Sequence, residues 1–277
     1  MNAVKQAKRS IDIVIFRFDR AELEKALEAA VGRGVAVRAL IAHTNRGGEK
    51  SLRKLEARML AAGVTVSRTA DDLPRYHGKV MIADDELYVL GFNYTKLDIE
   101  KSRSFGIVTA DKRLVKEAST LIEADTNRQP YVPAYDRLVV SPESSRQVLT
   151  EFIKSAQKEL LIYDAKVTDN QMQRVLRERA KEGVDVRVIG EVEKDLDGVH
   201  ERKLPGLRLH VRAIVRDGSD AFVGSQSLRK LELDGRREVG VIVNDTAIAN
   251  QIQTVFEKDW ALAGGKRPAK DDEAAAS

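Results

Sequence analysis

Short runs of Val and Ile alternate along the chain with stretches in which apolar residues return every three or four positions, a pattern that predicts strands separated by amphipathic helices. The first strand is expected at residues 11–16, a helix at 21–31 and a second strand at 35–41. That helix carries Leu23, Ala26, Leu27 and Ala30 on one stripe, and the glycines of "GRG" at 32–34 stop it. A further amphipathic helix at 51–62 leads to a short strand near Val64. This is the grammar of βαβ units, in which helices join the strands and cover the sheet.

The pattern breaks at 126–143, "TNRQPYVPAYDRLVVSPE", which holds three of the six prolines and reads as a linker with a short extended piece inside it. Ser141 before Pro142 reads as a helix N-cap with proline at the first helical position, continued by Val148, Leu149, Phe152 and Ile153 at helical spacing. The expected organisation is a first unit at 1–125, a linker at 126–140, a second unit at 141–263 and a tail at 264–277. The tail, "GGKRPAKDDEAAAS", has no apolar periodicity and is expected to be disordered.

The two units repeat one another. "GRGVAVRALI" at 32–41 is answered by "KEGVDVRVIG" at 181–190, and "SIDIVIF" at 10–16 by "ELLIYDA" at 159–165. The second copy replaces the helix at 51–62 with the polar stretch "EVEKDLDGVHERKLPG". Within "RYHGKVMIAD" at 75–84, His77, Lys79 and Asp84 interrupt what otherwise reads as a buried strand. A lone histidine there would be most simply a packed core residue, but "LHVRAIVRDG" at 209–218 repeats the group as His210, Arg212 and Asp217 at the same spacing. In an extended segment residues i and i+2 share a face, so each copy offers an imidazole and a cation to one side, an arrangement suited to phosphate. The other two of the four histidines, His43 and His200, lie in polar sequence and read as solvated.

Composition narrows the classes. The apolar runs are far too short to cross a bilayer, and the start, "MNAVKQAKRS", lacks the apolar core of a secretory signal. The expectation is a cytoplasmic chain, or one separated from an upstream export or anchoring segment. Without cysteine there is no disulfide framework and no thiolate metal site. With 47 basic against 43 acidic residues the net charge is +4, a mild preference for anionic partners that does not identify nucleic acid. An aromatic content of 5% disfavours an extended base-stacking platform. The basic stretch "HTNRGGEKSLRK" at 43–54 reads first as a solubility feature, Tyr131 and Tyr135 read either as lining a hydrophobic mouth or as packing between units, and "GRG" lacks the spacing of a phosphate loop.

The paired motifs resemble the signature of the phospholipase D superfamily, His-x-Lys-x4-Asp occurring twice, each followed by a Gly-Ser segment with an asparagine. The resemblance runs from about Val4 to Trp260. After the first motif "LGFNYT" supplies Asn93; after the second, "VGSQSL" keeps Gly224 and Ser225 but has Ser227 at the asparagine position. "REVGVIV" supplies Glu238 in the manner of the family's glutamate, where "RSFGIV" of the first copy has Ser104. Arg212 stands where the family has lysine.

The resemblance implies an α/β fold of two pseudo-symmetric phospholipase D-like repeats, each a mixed sheet flanked by helices, with one active site at their interface. It implies a metal-independent, cofactor-free phosphodiesterase or phosphatidyltransferase working through a phosphohistidine. His77 would be the nucleophile and His210 the acid and then the base; Lys79, Arg212 and Asn93 would hold the nonbridging oxygens, with Ser227 at the matching place. Asp84 and Asp217 would orient the imidazoles, directly or by fixing local structure, and Glu238 would support the histidine of the opposite repeat. The expected partner is a phospholipid at a membrane surface. Nucleic acid is the alternative substrate, and a noncatalytic anion-binding module the alternative class.

Overall fold

The Val- and Ile-rich runs form strands and the periodic stretches form helices in the computed structural model, which describes residues 1–44, 49–194 and 196–264. The first half contains α1 (Asn2–Gln6), β1 (Ser10–Ile15), α2 (Ala21–Gly32), β2 (Ala36–Ile41), α3 (Glu49–Ala61), β3 (Thr65–Arg68), β4 (Val80–Ala83), β5 (Glu86–Leu90), α4 (Lys96–Glu100), β6 (Ser102–Arg103), β7 (Gly106–Thr109) and α5 (Lys112–Asn127). The second contains β8 (Leu138–Ser141), α6 (Ser145–Lys154), β9 (Glu159–Val167), α7 (Asn170–Lys181), β10 (Asp185–Val192), β11 (Val199–Arg202), β12 (Arg208–Leu209), β13 (Arg212–Arg216), β14 (Asp220–Gly224), α8 (Lys230–Asp234), β15 (Glu238–Asn244) and α9 (Thr246–Gly264).

The first sheet has the order β3-β2-β1-β4-β5-β7 and the second β11-β10-β9-β13-β14-β15-β8. In each, three parallel strands continue into antiparallel ones, β4, β5 and β7 matching β13, β14 and β15. The two halves are therefore a duplicated mixed α/β unit. As the sequence suggested, the second lacks a counterpart of α3: among the described residues no helix separates β10 from β11.

The stretch read as a linker holds the end of α5 and one short extended piece, β8. α5 runs on to Asn127, and β8 pairs antiparallel with β15, placing Ser141 opposite Glu238. That ladder holds Ser141 extended, so it ends a strand instead of capping a helix; α6 begins at Ser145, behind Ser144. α2 stops as predicted, the chain turning through Gly34 at φ +87°, a conformation glycine adopts without cost. Of the expected tail, Gly264 ends α9 and residues 265–277 lie outside the described residues, as do residues 45–48 of the basic stretch.

The strands read as near-continuous apolar runs because both faces of each sheet are covered. On β4, Val80 and Ile82 enter a core shared by the two sheets, where they meet the cluster of Leu161, Val211, Ala213, Val215, Val223 and Val241. Met81 and Ala83 point the other way, into a core with α2 and α3, and α6 and α7 cover the outer face of the second sheet in the same manner. Each such aliphatic side chain stabilises the fold by about 1.5–3 kcal/mol on burial, so the shared core binds the halves firmly. Polar ties add to it: Arg103 of β6 grips Asp259 of α9 through two bonds of 2.7 and 2.8 Å. Among the described residues no helix is long and apolar enough to cross a membrane.

Candidate active site

Each histidine is moored by its backbone to the opposite half. His77 N–H donates to the Arg237 carbonyl at 2.7 Å, and Arg237 N–H returns to the Arg75 carbonyl at 2.9 Å. On the other side of the pseudo-twofold, β12 pairs with β6 and His210 N–H donates to the Arg103 carbonyl at 3.3 Å. The motif histidines consequently sit just ahead of their strands: the β4 ladder begins at Val80 and β13 at Arg212. The crossing is close. A Cβ on Gly78 would lie 2.8 Å from Val239 Cγ2, which explains glycine between His77 and Lys79.

The His77 ring is held on both sides. Nδ1 lies 2.8 Å from Glu238 Oε2, across the interface, and Nε2 lies 2.8 Å from Lys79 Nζ. Phe16 packs edge-on against the ring at 4.5 Å. Lys79 and Glu238 are 1% and 0% exposed, both withdrawn from water. Burial pushes the His77 imidazole well below its usual range, and the charges of Lys79, Arg212, Arg75 and Arg236 push the same way. Burial also lowers Lys79, joined by Arg212 and Arg75 against the pull of Glu238. Glu238 is raised by burial, although Lys79, Ser225 and Arg212 oppose that. The ring is thus neutral, and its partners assign the proton to Nδ1, donated to Glu238, leaving the Nε2 lone pair facing Lys79.

His210 is held less tightly. Its Nδ1 is buried without a hydrogen-bond partner, 3.8 Å from Asp98 Oδ2. Asp98 Oδ2 accepts from Asn93 N–H at 2.9 Å and from Asn93 Nδ2 at 2.6 Å, while Arg208 donates to Oδ1. Burial pushes His210 down to about 3, Arg212, Lys79 and Arg208 adding to the effect and Asp98 opposing it. Arg212 reaches the His210 carbonyl at 3.4 Å, and its Nε is buried and unpartnered. His77, Lys79, His210, Arg212, Asn93 and Glu238 therefore gather at one place between the halves.

Asp84 and Asp217 do not touch the imidazoles. Asp84 accepts from the backbone N–H groups of Lys8, Arg9 and Ser10 at 2.8–3.0 Å, and Asp217 from those of Gln157, Lys158 and Glu159. Seven extended residues span up to about 23 Å, so each aspartate belongs to the far end of its strand, where it fixes the start of β1 or β9. Both carboxylates thus bond local backbone and not the rings. Ser227 departs from expectation too: fully buried, its hydroxyl donates its one proton to Asp164, with the Lys166 carbonyl 3.3 Å away, offering no free donor to the cleft. Ser104 Oγ is buried and unpartnered.

His43 is half-buried beyond β2, with its N–H on Thr69 Oγ1 at 3.0 Å, and His200 is exposed on β11; neither joins the cluster. Tyr131 lies in the shared core with its hydroxyl donating to Glu117 at 2.5 Å, and Arg113 lies 4.0 Å over the Tyr135 ring, so both tyrosines pack. Sequence reasoning missed Asp98, Asp164, Phe16 and the arginines Arg75 and Arg236. An acid five residues after Asn93 was the available signal for Asp98, but it lies outside the repeated motif.

Paired α/β repeats meeting at two His–cation motifs are the architecture of the phospholipase D superfamily. Within it, residues 1–126 and 149–260 match the family described as cardiolipin synthase, PLD-like domain, and the chain belongs to that family. Its fold is similar to that of polyphosphate kinase from Porphyromonas gingivalis, with a TM-score of 0.76 at 18% identity over 94% of this chain. The chain spans 47% of that kinase. A phosphatidylserine synthase from Haemophilus influenzae Rd KW20 gives a TM-score of 0.69 at 12% identity, over 94% of this chain and 82% of the synthase. At these identities the likeness is one of fold. No curated protein sequence matches the chain.

Proposed function

We propose that this protein is a metal-independent phosphodiesterase or phosphatidyltransferase that acts on phospholipid phosphodiesters through a phosphohistidine at His77. The observation that carries the reading is the His77 ring itself, fixed between Glu238 and Lys79 at 2.8 Å on each side, with a nucleophilic nitrogen beside a buried cation. In the first step the Nε2 lone pair forms the N–P bond as the ester P–O bond breaks, and His210 gives its Nε2 proton to the departing alkoxide. Glu238 stabilises the positive charge left on the His77 ring. Lys79, Arg212 and the second N–H of the Asn93 amide hold the nonbridging oxygens as charge builds on them. In the second step His210 takes the proton of water or an alcohol, whose oxygen attacks phosphorus and releases His77. His210 starts neutral; a bound phosphate anion beside it favours the protonated form that the first step needs. The family's description supports a phospholipid as the substrate.

The test is a parallel assay on phospholipid vesicles, single-stranded DNA and bis(p-nitrophenyl) phosphate, each with and without chelator and with a primary alcohol present. Expected are release of head group, formation of phosphatidyl-alcohol and indifference to chelator. Cleavage of the DNA alone, weakening steeply with salt, would make the protein a nuclease. Binding of all three without turnover would make it an anion-binding module.

A further inference from the structure

We propose that Asp98 is the positioning residue for His210, holding from α4 the place that Glu238 holds for His77 from β15. The inference deepens the reading above, resting on His210 as the proton donor. The two histidines are supported unequally. The pseudo-twofold gives His77 a carboxylate from the opposite half, yet the position that corresponds to Glu238 in the first half is Ser104, whose hydroxyl is buried and bonded to nothing. A serine cannot carry the charge that steadies an imidazolium.

Asp98 can. It lies six residues before Ser104, 3% exposed, in the half opposite His210, and it faces that ring's otherwise unpartnered Nδ1. Its backbone is set by Thr95, the N-cap of α4, whose hydroxyl accepts Asp98 N–H at 3.3 Å, and its carboxylate by the two bonds from Asn93. Asn93, a phosphate-holding residue in the proposed reaction, is thereby tied to the same carboxylate. The corresponding acid on α8, Glu232, is also buried but pairs with Arg229 and Arg236, so the arrangement is particular to the first half.

At 3.8 Å the pair is short of a hydrogen bond. Arg208 on Oδ1 and Asn93 on Oδ2 draw the carboxylate away. His210 itself faces Arg212, Lys79 and Arg208 as well as Asp98. When a phosphate anion brings a proton to Nε2, the imidazolium attracts Asp98 and the Nδ1–H bond closes. The carboxylate takes no proton; it fixes the tautomer that leaves Nε2 for transfer.

The experiment uses the full chain with 15N-labelled histidine, following the His210 ring by NMR across pH, alone and with inorganic phosphate, in the unmodified protein, Asp98→Asn, Arg208→Gln and the double variant. Losing the carboxylate charge is expected to lower the pKa of His210 and weaken its Nδ1–H signal. Losing the competing Arg208 is expected to raise the pKa by roughly one unit, partly through its own charge and partly through the freed carboxylate, and the double variant keeps only the first part. In turnover, Asp98→Asn should reduce kcat for an alkyl leaving group roughly 10- to 100-fold with KM little changed, and spare an aryl leaving group that departs without a proton. Ser104→Glu should restore part of the loss. An unchanged His210 titration in Asp98→Asn, or equal losses for both leaving groups, overturns the proposal; should Asp98→Asn fail to fold, an unchanged Nδ1–H signal in Arg208→Gln overturns it, because freeing the carboxylate strengthens that hydrogen bond whereas removal of a neighbouring charge alone does not. If no diester is turned over by the unmodified protein, the proposed reaction fails while the titration still judges Asp98.

Discussion

The two ring nitrogens of His77 have different partners, and that division sets the expected behaviour of its variants. His77→Ala should abolish covalent labelling by any phosphodiester, read by mass spectrometry of the trapped protein. His210→Ala should still label His77 when the leaving group is an activated phenolate and then stall, because nothing draws the proton from water; label on His210 would reverse the assignment. Arg212, with a buried and unpartnered Nε, is expected to act on developing charge. Arg212→Ala should lower kcat roughly a hundredfold, about 3 kcal/mol, with a smaller effect on binding. Arg212→Lys should be intermediate, since a compact ammonium cannot reproduce a planar fork. His210 also enters stability. Its folded pKa, pushed down to about 3, lies below the unfolded value near 6.5, so the unfolded chain binds the extra proton between those limits. The neutral ring's contribution is fully present above about pH 6.5 and declines by up to ~1.4 kcal/mol per pH unit as pH falls toward 3. Urea unfolding of His210→Gln should show a shallower pH slope across that window.

At the scale of elements, the strands deliver the histidines by anchoring both their ends. Asp84 ties the end of β4 to the start of β1, and at φ 50° it occupies the left-handed region that asparagine also tolerates. Asp84→Asn should therefore keep the turn while weakening its bonds to the backbone. A loss of about 1–2 kcal/mol in chemical denaturation is expected, with kcat of the folded protein within about twofold. A hundredfold loss of kcat would return Asp84 to the reacting centre. Gly78 works at the other end: Gly78→Ala forces its Cβ against Val239 and should cost about 1–3 kcal/mol, misplacing His77 and Lys79 together.

For the whole molecule, the sheets share one core, so the halves should unfold together, with a single calorimetric transition. Two resolved transitions would show that they are independent. Arg237 joins them at the site: its carbonyl accepts from His77, and its guanidinium pairs with Asp125 at 3.0 Å and with Glu143. Burial raises Asp125 to about 6 even with Arg237 beside it. Arg237→Ala should cost about 3 kcal/mol or more, since removing one partner of a buried pair leaves the other charge stranded. Loss of activity should accompany it, because the mooring of His77 loosens.

Strand and helix identity, the duplication and the paired His–cation motifs were legible in the chain, because period-2 and period-3.6 patterning and motif spacing are local properties of sequence. The same patterning carried the βαβ reading of each half and, through the repeat, their pseudo-symmetry. What touches what was not legible. Glu238 was recognisable by its motif, but Asp98 meets His210 only because β6, just after α4 in one half, pairs with β12 of the other. Asp84 kept motif spacing yet serves a backbone, since seven residues of extended chain separate it from His77 by more than any side chain can reach. Ser227 kept the place of an asparagine and turned to Asp164, an acid 63 residues away in sequence. Partners of a buried polar group come from whichever segments the fold brings together, and that choice, made by desolvation and packing across the two halves, belongs to the tertiary structure.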